Sequence, residues 1–177
     1  MKTIHTFLFS SIFCACALTA NPAMSTEVGV GFGQEFRDNT DLQQYEVFVR
    51  QPLPFKKEFD SGFQVLSAVE VGAAMLREKG GDSDEGGRIF AMPQMILSPH
   101  PRVNGIVGFG AGFMFGETKF GDQDLGGEFL LASKIGIQFL LGQHWNVGYV
   151  YLHQSNAGIY EHNNGLNMHN IILSYSF

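Results

Sequence analysis

From residue 26 to its end, this 177-residue chain places apolar side chains at every second position, in blocks separated by Gly, Asp, Asn and Pro. Successive side chains of an extended strand point to opposite faces, so a period of two means strands with one apolar face. No stretch beyond residue 25 carries a sustained helical period, and none holds an apolar run long enough to cross a bilayer as a helix. Eight strands are predicted, over residues 26–36, 42–51, 61–75, 88–97, 102–115, 128–141, 144–155 and 167–177. Their lengths meet the roughly 9–11 residues a tilted strand needs to span the hydrocarbon layer.

Except in the fourth strand, whose two faces are hard to tell apart, one face is apolar, from Val28, Val30 and Phe32 through Tyr45, Val47 and Val49 to Phe109, Phe113 and Phe115. It continues with Ile135, Ile137 and Phe139, then Trp145, Val147, Tyr149 and Tyr151, and closes on Ile171, Leu173, Tyr175 and Phe177. The other face mixes Gly and Ala with Glu46, Arg50, Gln64, Glu70, Lys134, Gln138 and Asn146. A soluble eight-stranded barrel of the lipocalin kind would turn the apolar face inward. Two features favour turning it outward: the alternating, aromatic-terminated carboxy-terminus typical of outer-membrane barrels, and aromatic residues gathered near strand ends, as an interfacial belt requires. The expected fold is therefore all-β, an eight-stranded antiparallel transmembrane β-barrel whose narrow lumen is filled by side chains. Pro93 predicts a bulge in the fourth strand. Gly29, Gly31 and Gly33, and again Gly108, Gly110 and Gly112, fit small lumen positions; with no helix after either run, they are not phosphate loops.

Residues 1–25 read as an export signal, with Lys2, an apolar run from Ile4 to Leu18, and small residues before a cleavage point at Ser25 or, alternatively, Ala20. The barrel domain is then 26–177. Both cysteines, Cys14 and Cys16, lie in the leader, so the exported chain forms no disulfide. Of the 11 basic residues, removal of Lys2 leaves ten against 17 acidic ones, which argues against nucleic acid as a partner.

With both termini periplasmic, the connections 52–60, 98–101 and 142–143 fall on the periplasmic side and the loops 37–41, 76–87, 116–127 and 156–166 outside. His153 and Ser155 then stand at the outer end of the seventh strand. They share the lipid-facing parity of Tyr149 and Tyr151, with about 6.7 Å between their Cα atoms. An imidazole can reach a hydroxyl at that spacing, the contact a serine nucleophile needs from its base. His153, His162 and His169, with Glu161, have no recognised ligand spacing, so no metal site and no cofactor are expected.

His153, Ser155, Asn156, Ala157 and Gly158, then Asn163, Gly165 and the closing aromatic strand, resemble the carboxy-terminal motif of the PagL family of lipid A deacylases. The resemblance implies an eight-stranded outer-membrane barrel that hydrolyses the ester holding the 3-position acyl chain of lipid A, with lipopolysaccharide in the outer leaflet as its partner. It implies Ser155 as nucleophile, His153 as general base, and Asn156 with the Gly158 amide as oxyanion donors. The family carries a glutamate twelve residues after the serine, where this chain has Asn167. Asn167 and Glu161 are the two candidates for the third member. The competing reading is a non-catalytic barrel, structural or adhesive, using the acidic loops 76–87 and 116–127. Oligomeric state and acyl-chain preference are not legible.

Overall fold

Alternation along each strand leaves two faces of opposite character, and closing the sheet on itself puts one of them wholly inside. The computed structural model describes residues 25–35, 42–79 and 85–177. Its strands are β1 (Glu27–Glu35), β2 (Leu42–Glu58), β3 (Gln64–Glu78), β4 (Glu85–His100), β5 (Val103–Gly116), β6 (Phe129–Leu141), β7 (Trp145–Ser155) and β8 (Leu166–Ser176). Each pairs antiparallel with its chain neighbours, and β1 pairs with β8, so these eight form a closed barrel with no free edge. The predicted leader, apart from Ser25, and the predicted loop 37–41 lie outside the described residues.

The apolar face points outward. Phe109 is 63% exposed and Ile135 59%, and every strand contributes to the belt. T-shaped contacts between Trp145 and Tyr175 and between Tyr175 and Phe177, each 5.2 Å between centroids, mark one end of the belt; Phe32 and Tyr45, 5.4 Å apart, lie toward the other.

Inside, charges alternate in a row. Arg50 pairs with Glu27 and Glu70 at 2.8 Å each, Lys134 bridges Glu70 at 2.5 Å and Glu46 at 3.2 Å, and Arg88 reaches Glu46 at 3.2 Å. Gln94, Gln138 and Ser174 occupy remaining donors and acceptors of Arg50 and Glu27. Around this row the lumen is apolar: Leu66, Ile96 and Ile106 toward the end with the termini, and Leu42, Leu76, Met114, Leu130, Leu152 and Met168 toward the other. The alternate glycines make room, since a Cβ at Gly29 would meet the Phe48 ring and one at Gly108 the Met92 sulfur.

Three local expectations are corrected. β2 does not stop at Pro52 but runs to Glu58, with a register shift between Pro52 and Lys56. Pro52 and Pro54 cannot donate to a ladder, so pairing lapses and resumes instead of ending. Pro93 makes no bulge: β3 pairs straight through it, the β4–β5 ladder merely lacks partners at Met92 and Pro93, and the irregularity lies between Leu97 and His100. The segment 116–127 is not simply exposed. Lys119–Phe120 and Gln123–Asp124 form a small ribbon that drives fully buried Phe120 and Leu125 into the barrel mouth.

Candidate active site

On β7 the outward parity that exposes Trp145 and Tyr149 continues through Tyr151, His153 and Ser155, the last three half-buried. The register of β7 against β8 sets His153 directly opposite Asn167. Directly opposed residues have Cβ atoms about 4.5–5.5 Å apart, close enough for side chains to bond. They do: His153 Nδ1 donates to Asn167 Oδ1 at 2.9 Å, and the Tyr151 hydroxyl donates to the same oxygen at 2.6 Å. The backbone N–H of Asn167 donates through the wall to the buried Glu35 carboxylate at 3.2 Å. With Nδ1 carrying the proton, Nε2 of His153 is the basic nitrogen.

Ser155 lies two residues on, on the same face, opposite Leu131 of β6. Among the described residues no hydrogen bond joins its hydroxyl to the His153 ring; such contacts often tighten only when substrate arrives. Glu161 is exposed in the loop, and the bond to Nδ1 comes from Asn167, not from it. Among the described residues no three His, Cys, Asp or Glu side chains gather as a metal site.

The turn after Ser155 holds Asn156 and Gly158, the two expected oxyanion donors, in hydrogen bonds of its own. Asn156 is fully buried, and its amide donates to Leu125 O at 2.9 Å and His162 O at 2.6 Å. Its Oδ1 accepts the Gly158 N–H at 2.8 Å. Both amide hydrogens are thus engaged inside the loop, and Asn156 pins the turn. Ala157 is held left-handed at φ 53° and Gly158 at φ 80°, a conformation that favours glycine and is strained for alanine.

The pinned turn is stitched to the ribbon. Asn164 N donates to Asp124 O at 3.1 Å, Asn164 Nδ2 to Asp122 O at 2.9 Å, Phe129 N to the Tyr160 hydroxyl at 3.1 Å, and Gln123 Nε2 to Gly165 O. Gly126 sits at the crossing with φ 79°, and a Cβ there would strike His162 O and the Asn156 amide. Gly126→Ala should therefore shift the turn behind Ser155 and lower kcat/KM about tenfold, the scale of strain of 1–3 kcal/mol at one residue, while the barrel still folds. Steady-state hydrolysis beside a gel assay of barrel folding checks this.

A closed sheet that is apolar outside and ionic inside, with a hydrogen-bonded polar row set into its outer wall, defines an integral-membrane β-barrel with a laterally facing site. The family model for the lipid A 3-O-deacylase (PagL) family matches residues 43–176, and the chain belongs to that family. The lipid A deacylase PagL of Bordetella bronchiseptica is 29% identical over 174 residues, which cover 96% of this chain and 95% of that protein. The crystal structure of the outer membrane enzyme PagL shares the fold with a TM-score of 0.72 at 18% identity, covering 85% of this chain and 99% of that one. A de novo designed transmembrane β-barrel is more distant, with a TM-score of 0.58 at 10% identity over 86% of this chain and 95% of its own.

What the sequence did not single out is Tyr151. In the sequence it is one more aromatic of the outer face, and its parity with His153 is the signal available.

Proposed function

We propose that this chain is an outer-membrane serine esterase that removes the 3-O-linked acyl chain of lipid A, with Ser155, His153 and Asn167 as its catalytic row. The observation that carries the reading is the His153 Nδ1–H bond to Asn167 Oδ1, which leaves a basic Nε2 on the same lipid-facing surface as Ser155, in a member of this deacylase family. The leader, residues 1–25, takes the chain across the inner membrane, and the loop end of the barrel stands in the outer leaflet. The substrate therefore lies beside the site and needs no lumenal pocket.

In the reaction, Ser155 Oγ attacks the ester carbonyl carbon while Nε2 of His153 takes its proton. The C–O bond to the sugar oxygen then breaks, that oxygen receives the proton from Nε2, and the acyl group remains on Ser155. Water, deprotonated by Nε2, attacks the acyl-enzyme, releasing the fatty acid and restoring Ser155. Oxyanion charge falls to the turn after Ser155: the Gly158 N–H, which donates to Asn156 Oδ1 in the free turn, would pass to the carbonyl oxygen when substrate binds, and Asn156 holds the frame. Removal of one such donor commonly costs about 100- to 1000-fold. Asn167 orients the imidazole but cannot neutralise its positive charge, which a carboxylate there would do.

Lipid A from cells producing the folded protein should lose one 3-hydroxyacyl chain by mass spectrometry. Asn167→Ala should reduce that loss and Glu161→Ala leave it intact. An unchanged lipid A spectrum with a folded, inserted barrel would count for a non-catalytic barrel instead.

A further inference from the structure

Asn167 presents a problem that a carboxylate would not. Either oxygen of a carboxylate can accept from Nδ1–H, but an amide serves in only one of two orientations related by a half-turn. Turned over, its NH2 faces the ring, Nδ1 must accept, and the imidazole proton moves to Nε2. That nitrogen can then no longer take the proton of Ser155. A third contact is needed to choose between the two.

We propose that Tyr151 is a positioning residue of this site, holding the Asn167 amide with its oxygen toward His153. The inference rests on the reading of Ser155, His153 and Asn167 as the catalytic row. Asn167 Oδ1 has two lone pairs; the Tyr151 hydroxyl fills one at 2.6 Å and His153 Nδ1–H the other at 2.9 Å. Among the described residues Asn167 Oδ1 is the acceptor of the Tyr151 proton. Turning the amide would leave that proton unpartnered at a lipid boundary, which is costly. The phenol is itself held. Its ring meets His169 edge-on with centroids 5.2 Å apart, and His169 Nδ1 is hydrogen-bonded to the Tyr149 hydroxyl. Tyr151, His169 and Tyr149 thus form a brace running from the site down the outer wall, and the brace supplies the orientation that a carboxylate would not need.

The test reads the tautomer of His153 directly, by nitrogen NMR of histidine-labelled protein in detergent micelles, with His153→Gln assigning the signal. The wild type should show protonated Nδ1 and bare Nε2. Tyr151→Phe should shift His153 toward an Nε2–H mixture, and Tyr151→Phe combined with Asn167→Glu should restore protonated Nδ1. In turnover, Tyr151→Phe should lower kcat about tenfold with KM changed less than about twofold, whereas in the Asn167→Glu background the same change should cost under about twofold. An unchanged tautomer in Tyr151→Phe, or equal kcat losses in both backgrounds, overturns the proposal. The expected tautomer shift in Tyr151→Phe, beside a wild type that leaves lipid A intact, sinks the esterase reading alone, because the tautomer is read without substrate.

Discussion

Ser155→Ala and His153→Ala should each lower lipid A deacylation by about 10^4- to 10^6-fold while leaving the barrel folded. On the proposed mechanism, the serine change removes the atom that attacks the ester, and the histidine change leaves a hydroxyl with no base to take its proton. Neither side chain belongs to the lumenal charge row: both are half-buried on the outer face, where His153 makes a single cross-strand hydrogen bond to Asn167. Surface replacements of this kind usually move stability by no more than about 0.5 kcal/mol. The double variant should fall no further than the worse single one, because two groups that act in one step are not additive. The measurement is the fraction of lipid A lacking one acyl chain, beside the heat-dependent gel shift that reports a folded barrel. Additive losses would show that the two residues do not act together, and activity surviving in Ser155→Ala would place the nucleophile elsewhere.

Much of the frame behind that prediction is legible in the chain because strand pleat is a period-two code. The alternation through Trp145, Val147, Tyr149 and Tyr151 tells both that β7 exists and that His153 and Ser155 share its outer face. The strands found lie within a few residues of those expected, except where proline misleads. Pro52 reads as a stop, yet loss of one donor interrupts a ladder without ending it. Contacts between strands are less legible, since they depend on register. That Asn167 stands opposite His153 follows from how β7 and β8 are offset, and only then does an asparagine in place of an acid acquire a partner. Buried Phe120 and Leu125 sit within a polar, glycine-rich segment whose composition describes an exposed loop, so their place in the barrel mouth has no local signal. Asn156 looks like a donor beside a nucleophile, and its commitment to Leu125 and His162 is a tertiary fact.

The lumen should show the largest effect on stability. Glu70 is fully buried between two cations, Arg50 at 2.8 Å and Lys134 at 2.5 Å, at the middle of a row in which three carboxylates face three cations. Glu70→Leu leaves the row with one positive charge too many in a space closed on all sides by sheet. Breaking a buried pair from one side typically costs about 3–5 kcal/mol, because the remaining charge is left uncompensated. Arg50 would keep Glu27 and Lys134 would keep Glu46, so the cost comes from the surplus charge more than from wholly orphaned partners. Glu70→Leu with Lys134→Met removes one charge of each sign and should recover most of the loss. Urea unfolding in lipid vesicles, followed by tryptophan fluorescence from Trp145 at the belt, gives the comparison. If the double variant is as unstable as Glu70→Leu or worse, the row acts through its individual hydrogen bonds and not through charge balance. If it recovers, the lumen is a balanced ionic core, and Ser155 can be exchanged on the outer wall without touching what holds the barrel shut.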